Sequence, residues 1–292
     1  MFTNRTHQSI VLSGLVFLLG IFSPSCVDAR EYKMLQIKGS DTMVNLGQAW
    51  AEEFMVSRND VSIAVTGGGS GTGIAAILSG TCDIAQSSRD LKGAEEAKAV
   101  ESGAPIVTTI VGLDGVAVVT HPLNPISNLT ITQLSDIFTG KVTNWKEVGG
   151  ADLPILALSR ERNSGTHIFF LEEVLRKGNS KGPEEFSSSA LMMPSNQAIV
   201  QEVKTSEAGI GYVGIGYLSD ELKVIPVGHD SQGPFIVPTV QSVADGQYPI
   251  SRSLLFLTRG EPQGDVRAFI NFVLSAEGQE IVEILDFVPI NH

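Results

Sequence analysis

One local pattern occurs three times along this chain and limits the folds that it can adopt: an apolar strand ends, glycine and hydroxyl residues follow, and a helix begins. The three junctions lie at residues 39–42, 66–73 and 159–165. Each follows a short apolar run that is typical of a buried strand. Because strands that alternate with helices form parallel sheets covered by those helices, the pattern predicts an α/β fold with largely parallel strands.

Apolar spacing identifies the helices. Met43, Leu46, Trp50 and Phe54 recur at intervals of three and four residues, which puts them on one face of a helix. Ser195 stands where a helix cap is expected. Further helices are predicted over residues 74–78, 169–175 and 198–203.

The junctions share a chemistry that favours anions. The first turn of a helix has backbone N–H groups without intrahelical partners, and the helix dipole is positive at that end. Glycines let a ligand approach the backbone, and serine or threonine hydroxyls add donors. Three such junctions from one chain therefore predict a site that surrounds a tetrahedral oxyanion.

The overall charge restricts the partners. The sequence has 32 acidic and 20 basic residues, which gives a formal net charge of −12. A nucleic acid or an anionic lipid surface requires a basic face, so the composition argues against both. An anion bound by this protein must be held by local groups that act against the long-range field.

The N-terminal segment has the features of an export signal. Arg5 precedes an apolar run of about thirteen residues, which is too short to cross a bilayer comfortably and is typical of a signal peptide. We expect residues 1–29 to be removed and the mature protein to reach the periplasm. Cys26 offers an alternative as a lipid anchor, although Ser23 stands where a lipoprotein box has leucine. No later segment is predicted to span a membrane.

Removal of the signal would leave Cys82 as the remaining thiol, so no intramolecular disulfide is expected. Cys82 lies at the start of an apolar run, and we interpret it as a small buried core residue rather than a reactive thiol.

The glycine-rich junction at residues 66–73 matches two cofactor patterns weakly. The spacing from Gly71 satisfies a G-x-G-x-x-A dinucleotide pattern, but an exported protein meets little dinucleotide. A P-loop would need a lysine after Gly73, where Ile74 stands. Five glycines exceed the requirement of a tight turn, so we interpret the junction as an anion loop with Ser70 as a donor. No cofactor is expected.

Arg160 and Asp41 are the charged candidates for the site. Arg160 ends an apolar strand and can hold an oxyanion through two parallel N–H bonds, whereas Arg162 is expected to pair at the surface. Asp41 has two open interpretations: it accepts a proton from monohydrogen phosphate and thereby rejects sulfate, or it caps its own helix. Ser88 likewise supplies a hydroxyl to the site or caps the helix that begins near Gly93.

The sequence lacks recognisable catalytic and metal-binding patterns. It has no G-x-S-x-G elbow and no pair of histidines at metal-ligand spacing. His167 lies beside the third junction, where a single histidine is more often structural than a general base. A secreted phosphohydrolase that uses Ser70 or Ser164 would lack both a base and a metal, so we predict a protein without enzyme activity.

The order of these motifs resembles the phosphate-binding proteins of phosphate ABC transporters, and the resemblance covers nearly all of residues 34–290. The motifs that carry it lie at residues 39–42, 68–73, 83–89, 134–145, 160–166 and 209–213. It implies a two-lobed type II periplasmic-binding-protein fold of mixed, mostly parallel sheets with two crossover strands. The crossovers are expected near residues 115–119 and 248–257.

The resemblance also implies the lobe boundaries. Lobe 1 would comprise residues 30–118, with residues 248–292 returning to it through a C-terminal helix over residues 266–274, and lobe 2 would comprise residues 119–247. Phosphate would lie between the lobes without a metal or a cofactor. The implied partners are the permease subunits of an ABC transporter, and the implied oligomeric state is a monomer.

Nine residues are the implied phosphate ligands. They are Ser40, Asp41, Thr42, Ser70, Ser88, Arg160, Ser164, Gly165 and Thr166. Several relatives have an aspartate at the position of Ser88, where it accepts the phosphate proton, and we hypothesise that Asp41 takes that role here. Two alternatives stay open: a binding protein for another oxyanion such as sulfate or molybdate, and a secreted phosphate-scavenging adhesion or signalling protein.

Overall fold

The computed structural model describes Met1 and residues 34–290. The predicted signal peptide and Cys26 lie outside the described residues. The strands are β1 (Met34–Gly39), β2 (Ser62–Thr66), β3 (Ile84–Ser87), β4 (Ile106–Thr120), β5 (Leu129–Thr130), β6 (Leu156–Arg160), β7 (Leu191–Met193), β8 (Gly209–Gly214), β9 (Lys223–Ile225), β10 (Val227–Gly228) and β11 (Ser251–Arg259). The helices are α1 (Val44–Ser57), α2 (Ser70–Ser79), α3 (Gly93–Glu101), α4 (Ile131–Phe138), α5 (Gly165–Phe170), α6 (Asn196–Thr205), α7 (Val240–Ala244), α8 (Gly264–Val273) and α9 (Ala276–Ile284).

Most strands form one mixed sheet in the order β2-β1-β3-β11-β4-β8-β6-β7, with β9 also paired to β4. The flanks are parallel: β1 pairs with β2 and β3, and β6 pairs with β7 and β8. The centre is antiparallel, because β11 runs against both of its neighbours and β4 runs against β8. The α/β class predicted from the alternating strands and helices is confirmed.

Strand β4 belongs to both halves of this sheet. Nine of its first ten residues, up to Gly115, pair with β11, whereas Val116–Thr120 pair with β8. The first expected crossover, at residues 115–119, is therefore the second part of β4. The second expected crossover, at residues 248–257, largely coincides with β11. These two central strands join the parts of the sheet that carry the glycine and hydroxyl junctions.

The C-terminal helices pack on α1. The ring of Phe54 meets Phe269 of α8 edge-on at 5.4 Å between centroids, and the indole N–H of Trp50 donates to the carbonyl of Gly278 at 2.7 Å. Helix α8 matches the predicted helix over residues 266–274 closely. Helix α9 was not predicted, because it buries Gly278, Gln279 and Val282 instead of a regular apolar stripe.

Helix α2 begins at Ser70, four residues before the predicted start, so part of the glycine-rich stretch is helical. Gly73 then faces the end of β1, where an added Cβ atom would lie 2.5 Å from the Lys38 carbonyl oxygen. Glycine here serves close packing of helix on strand as well as ligand access. The sequence pattern alone does not separate these two uses.

No helix within residues 34–290 is long and apolar enough to cross a membrane. Cys82 is buried, as expected, and burial raises the pKa of its thiol to about 11. The thiol is therefore protonated at neutral pH, which fits a core residue rather than a nucleophile.

Candidate anion-binding site

Five buried hydroxyl groups from four separate parts of the chain meet where the junctions converge. Ser40 Oγ donates to Ser88 Oγ at 3.0 Å, and Ser88 Oγ lies 3.3 Å from Ser70 Oγ. Thr42 Oγ1 lies 3.0 Å from Thr166 Oγ1. All five residues are at most 1% exposed, so these hydroxyls are shielded from bulk water. Such hydroxyls can turn towards a bound anion and donate to it.

Two helix starts face each other at this cluster. Ser70 is the first residue of α2, and Gly165 is the first residue of α5. Ser164 caps α5 by accepting a hydrogen bond from the backbone N–H of His167 at 3.4 Å. An added Cβ atom at Gly165 would lie 2.2 Å from Ser70 Oγ and 2.7 Å from Ser88 Oγ, so this approach requires glycine. The dipoles of both helices therefore favour negative charge here.

Arg160 ends β6 beside the cluster and is 1% exposed. Its Nη2 donates to the Pro194 carbonyl at 3.1 Å and forms an ion pair with Asp41 Oδ2, also at 3.1 Å. Its Nε and Nη1 are buried and have no hydrogen-bond partner among the described residues. Buried N–H groups without partners are unfavourable, and those of a guanidinium are suited to an oxyanion. Arg162 of the same loop is exposed, but it forms none of the expected ion pairs with acidic side chains of the described residues.

Asp41 does not cap its own helical turn. Its Oδ2 accepts from both Asn196 N at 2.9 Å and Asn196 Nδ2 at 2.8 Å, so it caps the start of α6 and holds Arg160 at the same time. Tyr217 fixes the backbone at this point by donating its hydroxyl to the Asp41 carbonyl at 2.8 Å. Thus Asp41 positions the guanidinium, and its Oδ1 has no donor from the described residues.

Ser88 belongs to the hydroxyl cluster and does not cap α3. Its backbone N–H donates to Ser70 Oγ at 3.0 Å. The cap of α3 comes instead from Glu95, whose side chain accepts the N–H of Lys92 at 2.8 Å. Of the two interpretations given for Ser88 from the sequence, the structure therefore favours the site.

Arg252 is a second buried arginine at the site, and none of the sequence motifs indicates it. It extends from β11 and pairs with Asp114 of β4 through Nε at 2.9 Å and Nη2 at 2.7 Å. The same guanidinium donates to the Ser88 carbonyl at 3.1 Å and to the hydroxyls of Thr42 at 3.3 Å and Thr166 at 3.0 Å. One signal was available: Asp114 and Arg252 are single charges inside otherwise apolar stretches.

The opposite charges of Asp114 and Arg252 offset each other inside the protein. Burial raises the pKa of Asp114, and the adjacent guanidinium of Arg252 opposes that rise. Asp114 Oδ1 also accepts the backbone N–H of Ile215 at 3.1 Å. With the Asp41–Arg160 pair, the site has two positive and two negative side chains that balance. Hydroxyls, helix N-termini and the unpaired N–H groups of Arg160 therefore supply its attraction for an anion.

A buried polar chain lies behind Arg160. Tyr212 OH accepts the backbone N–H of Arg160 at 3.2 Å and lies 2.7 Å from Ser159 Oγ, which in turn lies 3.1 Å from His167 Nδ1. Burial lowers the pKa of His167 to about 4, so its ring is neutral at pH 7. His167 thus supports the strand end that carries Arg160, and the hydrogen bond of its ring is made to Ser159.

The comparisons with known proteins agree with this geometry. The family model described as a PBP superfamily domain matches residues 26–277. The phosphate-binding protein PstS of Pseudomonas aeruginosa is 31% identical over 269 residues, which cover 86% of this chain and 81% of that protein. This chain belongs to the phosphate-binding family of the PBP superfamily. Another member, PstS of Bacillus subtilis, is 32% identical over 257 residues, which cover 88% of this chain and 80% of that protein.

Solved structures of the family share the fold. A phosphate ABC transporter substrate-binding protein from Clostridium perfringens, described with bound phosphate, has 34% identity and a TM-score of 0.79, and the match covers 89% of this chain and 100% of that one. A phosphate transport receptor from Vibrio cholerae has 28% identity and a TM-score of 0.70, with coverages of 87% and 99%. The two-lobed periplasmic-binding-protein fold implied by the sequence motifs is confirmed.

Proposed function

We propose that this protein binds inorganic phosphate and delivers it to the permease of an ABC transporter. The observation that carries the proposal is the Arg160 guanidinium, whose buried Nε and Nη1 have no hydrogen-bond partner among the described residues and which is paired to Asp41, between the buried hydroxyls of Ser40 and Thr42 in the chain. The family membership and the phosphate-bound structure of a relative support the same ligand.

The phosphate ligands are the nine residues identified from the sequence, with Arg252 as a tenth. Ser40, Thr42, Ser70, Ser88 and Thr166 exchange their mutual hydrogen bonds for bonds to phosphate oxygens. Arg160 donates Nε and Nη1. The backbone N–H groups of Ser70, at the start of α2, and of Gly165, at the start of α5, complete the shell, and Ser164 shapes the second of these starts.

Selection of phosphate over sulfate rests on Asp41 in this proposal. Its Oδ2 is filled by donors from Asn196 and Arg160, whereas Oδ1 has none from the described residues. A carboxylate oxygen beside the anion accepts the proton of monohydrogen phosphate and repels sulfate, which has no proton to offer. Ser88 can accept a hydrogen bond as well, but it carries no charge with which to repel the wrong anion.

The two lobes of the proposal follow the boundaries expected from the sequence: residues 30–118 with 248–292, and residues 119–247. The change of partner along β4 after Gly115 supports the first boundary. The protein acts as a monomer whose lobes close on the anion, and the permease recognises the closed form. Export by residues 1–29 delivers the mature protein to the periplasm.

Enzymatic hydrolysis of phosphate esters is not part of the proposal. The relatives are binding proteins. Ser70 is paired to Ser88, and Ser164 caps a helix; within the described residues neither hydroxyl is hydrogen-bonded to an imidazole that could remove its proton.

Isothermal titration of the purified protein with phosphate and then with sulfate, at neutral pH and moderate salt, tests the function. We expect tight one-to-one binding of phosphate that excess sulfate does not displace. Preferential binding of sulfate or molybdate would be compatible with the fold but would overturn the assignment of phosphate as the ligand. Binding of no oxyanion would overturn the transport function.

A further inference from the structure

A hydrogen-bonded bridge joins two loops beside the candidate site without using the residues that hold the anion. Asn163, in the loop between β6 and α5, donates from Nδ2 to the Gly68 carbonyl at 2.7 Å. Its own carbonyl accepts the backbone N–H of Gly71 at 2.9 Å. Gly68 and Gly71 lie on either side of the start of α2, so the bridge connects the second junction to the third.

Glycines make this approach possible. An added Cβ atom would lie 2.7 Å from the Asn163 carbonyl oxygen at Gly69 and 3.1 Å from it at Gly71. Gly68 and Gly69 also have φ angles of +115° and +93°, which residues with a side chain rarely adopt. Several glycines of the second junction therefore serve contact with the opposite loop, a role beyond anion access.

We propose that Asn163 is a latch: a positioning residue that holds the two loops together over the bound anion and slows its release. The inference rests on the proposed function, because the latch matters for binding only if phosphate occupies the site. Both of its hydrogen bonds join protein groups, so the bridge stabilises the closed arrangement whatever fills the site. A contact that exists only in the closed form raises affinity by favouring that form, and it acts on dissociation more than on association.

Asn163→Ala tests the latch, because Asn163 is exposed and its side chain can be removed without a core cavity. Loss of one neutral hydrogen bond corresponds to a roughly two- to tenfold change. We expect release of radiolabelled phosphate into excess unlabelled phosphate to be faster by that factor, with a nearly unchanged association rate. The matched control is Asn271→Ala, since Asn271 is an exposed asparagine on α8 whose side chain forms no hydrogen bond with the described residues. Asn271→Ala is expected to release phosphate at the wild-type rate.

A second variant separates the latch from simple destabilisation. Gly71→Ala inserts a methyl group 3.1 Å from the Asn163 carbonyl oxygen, within the first turn of α2. Alanine has a higher helix propensity than glycine, so the melting temperature should stay equal or rise. Faster phosphate release without a lower melting temperature supports the latch. Unchanged release in both Asn163→Ala and Gly71→Ala overturns it.

Hydrogen–deuterium exchange of the Gly71 amide, in phosphate-free protein, gives a readout that does not depend on the ligand. This N–H lies in the first turn of a helix and has the Asn163 carbonyl as its acceptor. We expect it to exchange several-fold faster in Asn163→Ala than in the wild type and in Asn271→Ala. If the wild type fails to bind phosphate, the transport function fails, yet faster exchange still supports the bridge. Equal exchange in all three proteins overturns the latch.

Discussion

Arg160 is held at one end of its guanidinium and left unpaired at the other. Asp41 and the Pro194 carbonyl fix Nη2, while Nε and Nη1 remain buried without partners. An arginine that served only the fold would satisfy its buried donors, because each unpaired donor costs about 1–3 kcal/mol. The cost is offset if an oxyanion accepts those two bonds.

Replacement of Arg160 should therefore have the largest effect of any single change on phosphate affinity. Two hydrogen bonds from a charged donor contribute about 3–6 kcal/mol together, so Arg160→Met should weaken binding at least about a hundredfold. Arg160→Lys should give an intermediate loss, because lysine keeps the charge but not the paired geometry. The control is Arg162→Met, which removes an exposed arginine of the same loop. Titration calorimetry gives the result, and equal losses at positions 160 and 162 would refute the role of Arg160.

Asp41→Asn tests the basis of anion selection. The amide keeps an oxygen but loses the negative charge, so sulfate should bind more tightly and the ratio of phosphate to sulfate affinity should fall at least about tenfold. The measurement is competition between the two anions from pH 6 to pH 8. An unchanged ratio across that range would eliminate Asp41 as the selective group.

At the scale of elements, the chemistry of the strand-to-helix junctions was predictable, whereas the start of α2 at Ser70 and the contacts between the crossover strands were not. The glycine and hydroxyl residues of each junction are local in sequence, so their chemistry indicated an anion site and named Arg160. Arg252 reaches the site because β11 pairs with β4, and Asp114 lies 138 residues away in the chain. No local pattern encodes that pairing. The bridge from Asn163 to Gly68 is invisible to sequence reasoning for the same reason.

The buried His167 behind β6 makes the free energy of unfolding depend on pH. Burial lowers the pKa of His167 to about 4, from an ordinary value of 6.5. Between pH 4 and pH 6.5 the unfolded chain binds a proton at His167 that the folded protein does not. The contribution of neutral His167 to the free energy of unfolding is therefore complete above pH 6.5 and is lost as the pH falls towards 4. Lowering the pH from 7 to 4.5 should cost about 2–3 kcal/mol through this residue. Asn can replace the Nδ1 contact with Ser159, so urea unfolding of His167→Asn should show a smaller drop, and an equal drop would contradict the account.

At the scale of the whole molecule, the long-range electrostatic field of the protein and the local groups of the candidate site have opposite effects on an anion. The net charge of −12 repels an anion at a distance, whereas in the proposed function the buried hydroxyls, the helix N-termini and the guanidinium of Arg160 attract phosphate at the site. Added salt screens the repulsion between exposed charges and has less effect on buried contacts.

The association rate with phosphate should therefore rise with salt, by about two- to fivefold between 10 mM and 150 mM sodium chloride. The dissociation rate should change little. Stopped-flow measurements at the two concentrations decide this. An association rate that falls with salt would point to a local positive field that the described residues do not provide.

A crystal structure of the protein grown with phosphate tests the central claim most directly. The account predicts a phosphate whose oxygens lie within hydrogen-bond distance of Arg160 Nε and Nη1, the hydroxyls of Ser70 and Thr166, and the backbone N–H of Gly165. Phosphate bound elsewhere on the chain, or a site in which Arg160 keeps both N–H groups unpaired beside the anion, would contradict it.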